Sequence, residues 1–390
     1  MPKRRDLAEA VALFAAFFAL YAVTAQRGFG WGDSGEFQYR ILHGISAGQL
    51  PEFATLHPLY LWIAKPFASS PYSITLISSF FGALCTALFR LCSRNNILSA
   101  LFGLSHALWW LSCVSEVYTM SLAFIALETI LFLRWRKTGS AALFALLAGV
   151  NGLHLELHNI ALLALPVYGI SWLANARKRP PMQSIAGAAL AAAAWCAGAS
   201  YWIWAVVSRG PADVLFGRYG GQVAGFLPGN VSIALFNWAL AGMSFAIPAL
   251  LLRRKMLRPS PILALFLVHF SFWSRYFIIS QFTFALPSIF FAYLLVAESR
   301  LQPKMASALG ALQTALPVAA YLVLSSVGFP EWYWSHPYRD NAAYFALPWK
   351  FNDNSADRCA ALQGGDWDGY WRNPERPSGK PEETEWNSQP

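Results

Sequence analysis

YSITLISSFFGALCTALFRLCSR (residues 72–94) runs from Tyr72 to Phe89 without a charge and then meets Arg90 and Arg94. About twenty apolar residues is the length an α-helix needs to cross a bilayer. Lipid offers backbone N–H and C=O groups no partner outside the helix itself, so such a run reads as a membrane-spanning helix. Working outward, one comparable run extends from the N-terminus to about Thr24. Others lie near 97–112, 117–133, 141–153, 159–175, 183–206, 233–252, 260–273, 278–297 and 305–327. The runs 141–153 and 260–273 are short for a full crossing and suit a tilted or re-entrant path. The expected fold is an all-α integral membrane protein, a polytopic bundle of about 11 transmembrane helices. The runs are continuous rather than alternating, which excludes an outer-membrane barrel.

Composition agrees. Only 13% of the 390 residues are charged and 56% are hydrophobic, against roughly 25% charged in soluble domains. The net charge of +9 is gathered in short clusters between apolar runs, which is topology information and no nucleic-acid footprint. Of the five cysteines, Cys85, Cys92, Cys113 and Cys196 lie in or beside apolar runs, and none forms a metal-type CxxC pair with another or with Cys359. They read as small apolar packing residues.

The basic clusters set the topology. Lys3, Arg4 and Arg5 precede the first run. Arg90 and Arg94 follow the second, Arg134, Arg136 and Lys137 the fourth, and Arg177, Lys178 and Arg179 the sixth. Arg253, Arg254, Lys255 and Arg258 follow the eighth, and Arg300 and Lys304 the tenth. Every second connection is short and basic, so the N-terminus is expected in the cytoplasm and the C-terminal tail outside. Val23-Thr24-Ala25 resembles a signal-peptidase site, but the charge alternation needs the first run as an anchor. The membrane domain is expected over 1–327. An extracytoplasmic tail follows over 328–390, with aromatics over 331–372 to pack on the bundle and a disordered reading after Asn373.

The other connections carry most of the acids and histidines that precede the tail. These are Asp33, Glu36, His43, Glu52 and His57; then Glu116; then His154, Glu156 and His158; then Arg209, Asp213 and Arg218; then Arg275. Ionisable groups at membrane depth are costly and tend to mark function. Five connections converging on one face predict a polar, partly embedded cavity open to the extracytoplasmic side.

Each motif has a rival structural reading. Asp33 and Glu36 are three apart and share a face if a helix begins there. Asp33-Ser34 with Glu36 also reads as a helix cap. Against a mere cap, residues 36–50 offer little apolar content to bury beside the bilayer. An Asp at the membrane edge suits a general base for an acceptor hydroxyl, or a ligand for a divalent metal such as Mg or Mn; no cofactor is otherwise called for. His57-Pro58 opens an interfacial helix whose aromatics sit at headgroup level, and His57 reads either as a ligand contact or as an ordinary interface residue. Glu116, in a short turn beside Val114 and Val117, reads as turned toward the cavity rather than solvated. His154 and His158 are four apart, one helical face, with Glu156 opposite; on a strand all three would share a face. They suit hydrogen bonds to a phosphate or sugar, or to backbone carbonyls. A catalytic zinc lacks both the H-E-x-x-H order and a third ligand. Arg275 breaks the inside-positive pattern and, with Arg218 beside glycines, suits a phosphate; the rival for Arg275 is snorkelling to headgroups. Asn230-Val231-Ser232 is a glycosylation sequon, meaningful only in a eukaryotic secretory pathway.

Asp33-Ser34-Gly35-Glu36, His57-Pro58, Ser115-Glu116-Val117-Tyr118 and Gly152-Leu153 with His158 occur in an order that resembles the GT-C superfamily of polytopic glycosyltransferases. Within it, they are most similar to the protein O-mannosyltransferase-like branch. The resemblance covers about residues 10–170. It implies an extracytoplasmic transfer of mannose or a similar hexose from a polyprenyl or dolichyl phosphate to a hydroxyl of a protein or glycan. The acid matching Asp33 would be the base, in an inverting single displacement, with Glu36 beside it. His57, Glu116, Tyr118, His154 and His158 would line the substrate site; Arg218 and Arg275 are assigned to the leaving phosphate by chemistry and topology alone. The family usually carries a longer His-Pro-Pro-Gly-Tyr-Pro-Leu run than His57-Pro58-Leu59-Tyr60, and this tail is short; both bear on the acceptor. A bacterial inner membrane or the endoplasmic reticulum would be the location. The rivals are a transporter or flippase for a lipid-linked or anionic substrate, which should carry polar groups on both faces, and a non-catalytic subunit of a membrane complex.

Overall fold

The computed structural model describes residues 4–28, 33–42, 44, 57–178, 180–215, 259–276, 281–298, 308 and 311. His43, Glu52, Arg218, the sequon at Asn230, the run 233–252, most of the run 305–327 and the tail lie outside the described residues, as do the side chains of Asp33 and Glu36. Among the described residues every regular element is helical.

Helix α1 spans Arg4–Thr24, and α4 spans Pro71–Ser93. The two are antiparallel. At one end Arg90 is buried against Asp6, at 3.1 Å, and against Glu9 and Asn96. At the other the Tyr72 hydroxyl donates to the Ala22 carbonyl at 2.9 Å. Arg90, which marks a basic connection in the sequence, is therefore also a buried clamp between the first two long helices. Ser70 caps α4 with a reciprocal Ser73 box and Pro71 at its first position.

The run 97–112 is not one helix. It folds as α5 (Asn96–Gly103) and α6 (His106–Ser112). Asn96 sits beside Arg90, and the Cys113 carbonyl accepts from Gln26 N at 2.9 Å, so the broken pair still runs from one end of α1 to the other. The break follows Gly103, which lies against α1. The Tyr21 hydroxyl donates to the Gly103 carbonyl at 2.6 Å, and a Cβ at Gly103 would come within 2.5 Å of the Phe17 ring.

Helices α7 (Tyr118–Thr138) and α8 (Ala141–Leu155) form a hairpin across the tight turn at Gly139, whose φ of 66° suits glycine. A 3-10 stretch, Asn159–Ala164, leads into α9 (Leu165–Ala176). Helix α10 (Pro181–Gly198) then packs on α8 at glycine distance. A Cβ on Gly152 would stand 2.3 Å from the Trp195 carbonyl, and small residues allow backbones to approach this closely in membranes. The chain bends by 72° into α11 (Ser200–Arg209) and α12 (Pro211–Leu215). Helix α14 (Leu286–Glu298) packs on α4, α5 and α7, while α13 (Pro261–Arg275) packs on α14 and α9.

Among the described residues four helices are long and apolar enough to cross a membrane: α1, α4, α7 and Asn159–Ala176. The bent pair α10–α11 would be a fifth, and α8 and α13 are shorter apolar helices, as their short runs predict. The chain is a multi-pass membrane protein.

Candidate active site

One end of this bundle gathers the elements named by the motifs. Helix α2 covers Asp33–Leu42 and α3 covers Pro58–Ala64. The expectation that residues 36–50 have little apolar content to bury is corrected for the described part: Phe37, Tyr39 and Ile41 are buried. Phe37 and Ile41 are four apart, one helical face, and pack with Tyr60, Ile74, Met120 and Leu157. Helix α3 is likewise more core than interface. Tyr60 is fully buried and only Trp62, on the far side of the helix, is exposed.

Polar contacts fasten α2 in place. The Ser34 hydroxyl donates to Glu116 Oε1 at 3.1 Å. Gln38 Nε2 donates to the Thr75 hydroxyl at 3.1 Å and to the Pro71 carbonyl at 3.2 Å. Glu116 is buried and turned inward, and its backbone N–H and C=O both bond the Ser78 hydroxyl at 3.0 Å. The helix carrying Asp33 and Glu36 is thus bolted to the turn carrying Glu116, 82 residues away.

His57 sits beside this helix. It precedes Pro58 in a left-handed conformation (φ 45°, ψ 56°), uncommon for any residue with a Cβ. Its Nδ1 donates to the Leu157 carbonyl at 2.6 Å, and Leu59 N donates to the Glu156 carbonyl at 3.0 Å. Its ring stacks on His158 with centroids 5.3 Å apart and meets the Phe37 edge at 5.6 Å. His158 continues the cluster to Tyr118, at 5.7 Å, and Phe284, at 5.5 Å. Phe284 in turn meets Tyr118 and Tyr276. Arg275, exposed at the end of α13, is the neighbour of Tyr276. Burial of the His57 ring pushes its pKa down to about 4, with the Arg40 charge adding to the fall and the Leu157 carbonyl opposing it. Burial, then the neighbouring imidazoles, holds His158 well below 6.5. Both rings are neutral at pH 7.

His154 is elsewhere. Helix α8 ends at Leu155, so His154 and His158 do not share a helical face. His154 is fully buried, with Nδ1 donating to Glu128 Oε1 at 2.8 Å and Nε2 meeting the Ser121 hydroxyl at 2.7 Å. Glu128 Oε2 also accepts from Asn151 Nδ2, at 3.1 Å, and from the Tyr168 hydroxyl, at 3.0 Å. This network ties α7, α8 and α9 together inside the bundle. Glu156 has a third task. Its Oε1 accepts Tyr201 N and Trp202 N, both at 2.9 Å, and so caps α11, whose own first residues supply no side-chain cap. Burial raises its pKa, and the two backbone N–H groups oppose that shift.

The geometry therefore groups the α2 helix, Glu116, His57, Tyr118 and His158, with Arg275 at the margin, and sets His154 apart. Phe37, Phe284 and Tyr276 join the site without a sequence motif. Glu128 carried a signal that the motif reading passed over: it is the one acid inside the span Tyr118–Thr138. Among the described residues no group of three or more His, Cys, Asp or Glu could hold a metal ion.

The multi-pass bundle, all-α among the described residues and with the short helices of its first loop fastened over one end, shares its fold with a solved membrane protein. The structure of ArnT from Cupriavidus metallidurans bound to undecaprenyl phosphate matches it with a TM-score of 0.61 at 16% identity, over 91% of this chain and 72% of that one. The apo structure of the same protein matches with a TM-score of 0.56 at 15% identity. In sequence, 145 residues are 30% identical to the mouse (Mus musculus) protein O-mannosyl-transferase TMEM260. That match takes in 34% of this chain and 20% of the relative, so the chain spans about a fifth of the length of the curated protein it matches. No family model matches the chain.

Proposed function

We propose that the chain is a GT-C-type glycosyltransferase that moves a hexose, mannose or a close relative, from a polyprenyl phosphate to a hydroxyl acceptor on the extracytoplasmic side. The observation that carries the reading is the joining of α2 to the Glu116 turn and to the His57–His158–Tyr118 cluster at one end of the bundle. It is supported by a fold shared with ArnT, whose structure holds undecaprenyl phosphate, and by the sequence likeness to a protein O-mannosyl-transferase.

In this reading Asp33 takes the proton from the acceptor O–H. The acceptor oxygen attacks the anomeric carbon from the face opposite the phosphate. The bond from that carbon to the phosphate oxygen breaks, inverting the centre, and the electron pair leaves with the polyprenyl phosphate. Two catalytic needs follow: a base near the acceptor and cations near the leaving phosphate. His57 and His158 are neutral at pH 7 and so cannot supply the cation. That task falls to Arg275 and Arg218. Glu36 is the second acid on the same helix, and Glu116 holds that helix through Ser34.

The test is transfer from mannosyl-phosphoryl undecaprenol in lipid nanodiscs. Asp33→Asn should lower the rate by at least about a hundredfold, the usual worth of a general base, while the protein stays folded and inserted. Wild-type rates from Asp33→Asn would remove Asp33 from the mechanism.

A further inference from the structure

The two stacked imidazoles differ in one respect that their hydrogen bonds settle. A carbonyl oxygen only accepts, so His57 Nδ1, 2.6 Å from the Leu157 carbonyl, carries the ring proton. In a neutral ring that leaves Nε2 as an acceptor. A backbone N–H only donates, so His158 Nδ1, which receives Ile160 N at 3.0 Å, is bare. Its neutral ring therefore carries the proton on Nε2, a donor. Among the described residues no group bonds either Nε2, and both side chains keep part of their surface open. Two chemically identical side chains are thus held as opposite tautomers, stacked at 5.3 Å.

We infer that His57 and His158 form a complementary pair that recognises a neutral hydroxyl of the substrate, His57 accepting its hydrogen and His158 donating to its oxygen. A hydroxyl is the group that does both at once. A phosphate at neutral pH would leave the acceptor unused and facing negative charge. The surroundings suit a sugar or other polyol: Tyr118, half-buried beside His158, presents an aromatic ring for a C–H face next to the polar pair. The unusual backbone of His57 fits the same purpose, because the left-handed turn before Pro58 is held by the bond to Leu157 that fixes the tautomer. Buried polar sites of this kind discriminate sharply, since a ligand without the hydroxyl strands both nitrogens.

The ligand class rests on the transferase reading; the tautomers do not. The experiment is nitrogen NMR on histidine-labelled protein in nanodiscs at pH 7, with signals assigned through His57→Phe and His158→Phe, which keep an aromatic ring in the stack. The expected result is a proton on Nδ1 of His57 and on Nε2 of His158. The same tautomer on both, or a protonated ring, overturns the pair. Titration with methyl α-mannoside, a hydroxyl probe without phosphate, should then shift both Nε2 signals, and undecaprenyl phosphate should leave them in place. Mannosyl-phosphoryl undecaprenol shifts them if the hydroxyl belongs to the donor; a threonine peptide shifts them if it belongs to the acceptor. Each Phe variant should raise the methyl α-mannoside Kd about tenfold, as loss of one such hydrogen bond does. Signals that move with phosphate and not with mannoside, or with none of the four probes, overturn the inference. Failure of sugar transfer by the wild type would instead remove the transferase reading and leave these signals as they are.

Discussion

His154 and His158 lie four residues apart and are joined by a backbone bond from His158 N to the His154 carbonyl at 2.8 Å, yet their rings have different partners. His154 closes the last turn of α8 and is consumed inside the protein, one nitrogen on Glu128 and the other on Ser121. His158 has left the helix, stacks on His57 and keeps a ring nitrogen free of described partners. The first has every polar atom satisfied in a bundle where lipid offers no substitute. The second is held by aromatic faces and one backbone bond, which leaves it open to a ligand. Proximity in sequence therefore says little about shared duty: a structural pin and a binding residue can sit on either side of one helix end.

The sharpest way to break this contrast is Glu128→Leu. It strands the Tyr168 hydroxyl and His154 Nδ1 inside the bundle and removes one of the bonds of Asn151, and losing one partner of a buried pair costs about 3–5 kcal/mol. Thermal unfolding in detergent should show a large drop, with transfer lost in proportion to folded protein. A Glu128→Leu protein as stable as wild type would mean the network is not a pin.

The next test swaps like for like. His154→Gln should destabilise the fold by about 2 kcal/mol, the cost of leaving a buried donor or acceptor unsatisfied. His158→Gln, at a half-buried position, should cost under about 1 kcal/mol yet lower sugar transfer at least tenfold. Equal losses of stability, or a larger loss of transfer from the His154 variant per folded molecule, would erase the distinction.

Titration offers a third. The folded pKa of His57 is about 4 and that of His158 also lies below the ordinary 6.5. As pH falls the unfolded chain binds these protons first, so their contribution is full above about 6.5 and is lost as pH drops toward 4. Tm should fall across that window, and His57→Phe should flatten the fall. A His57→Phe profile parallel to wild type would mean that other groups set the acid limit.

The smallest expected effect is Glu156→Gln. The amide oxygen still accepts from Tyr201 N and Trp202 N, and the buried charge that raised the Glu156 pKa is gone. Stability at pH 7 should change by less than about 1 kcal/mol, measured by the same unfolding. A larger loss would show that the charge itself holds α11.

Much of this was legible in the sequence, for identifiable reasons. Outer connections that alternate with basic ones must lie at one end of a bundle, and the Ser34–Glu116 and His57–Leu157 contacts join three of them. The short runs 141–153 and 260–273 became short helices because length is read directly from apolar residues. The end of α8 was hidden, because no glycine or proline follows Leu155 in GLHLELHN. A helical reading through His158 was the natural error. Phe284 and Tyr276 arrive from more than a hundred residues away and carry no local pattern. The break in 97–112 depends on how α1 packs at Gly103, which no apolar count registers.

The cap that Glu156 provides for α11 also sets an order of assembly. Its partners Tyr201 and Trp202 are made 45 and 46 residues later, while His57, which needs the Leu157 carbonyl, is made 100 residues earlier. During synthesis the first-loop histidine must wait for the turn at 154–158, and the Glu156 carboxylate must wait for α11. A nascent chain halted before residue 200 would hold its early spans in the membrane with the histidine cluster unsupported. Phe284, which meets His158, is made later still, so a chain stalled midway carries the motifs of the site without its full set of contacts.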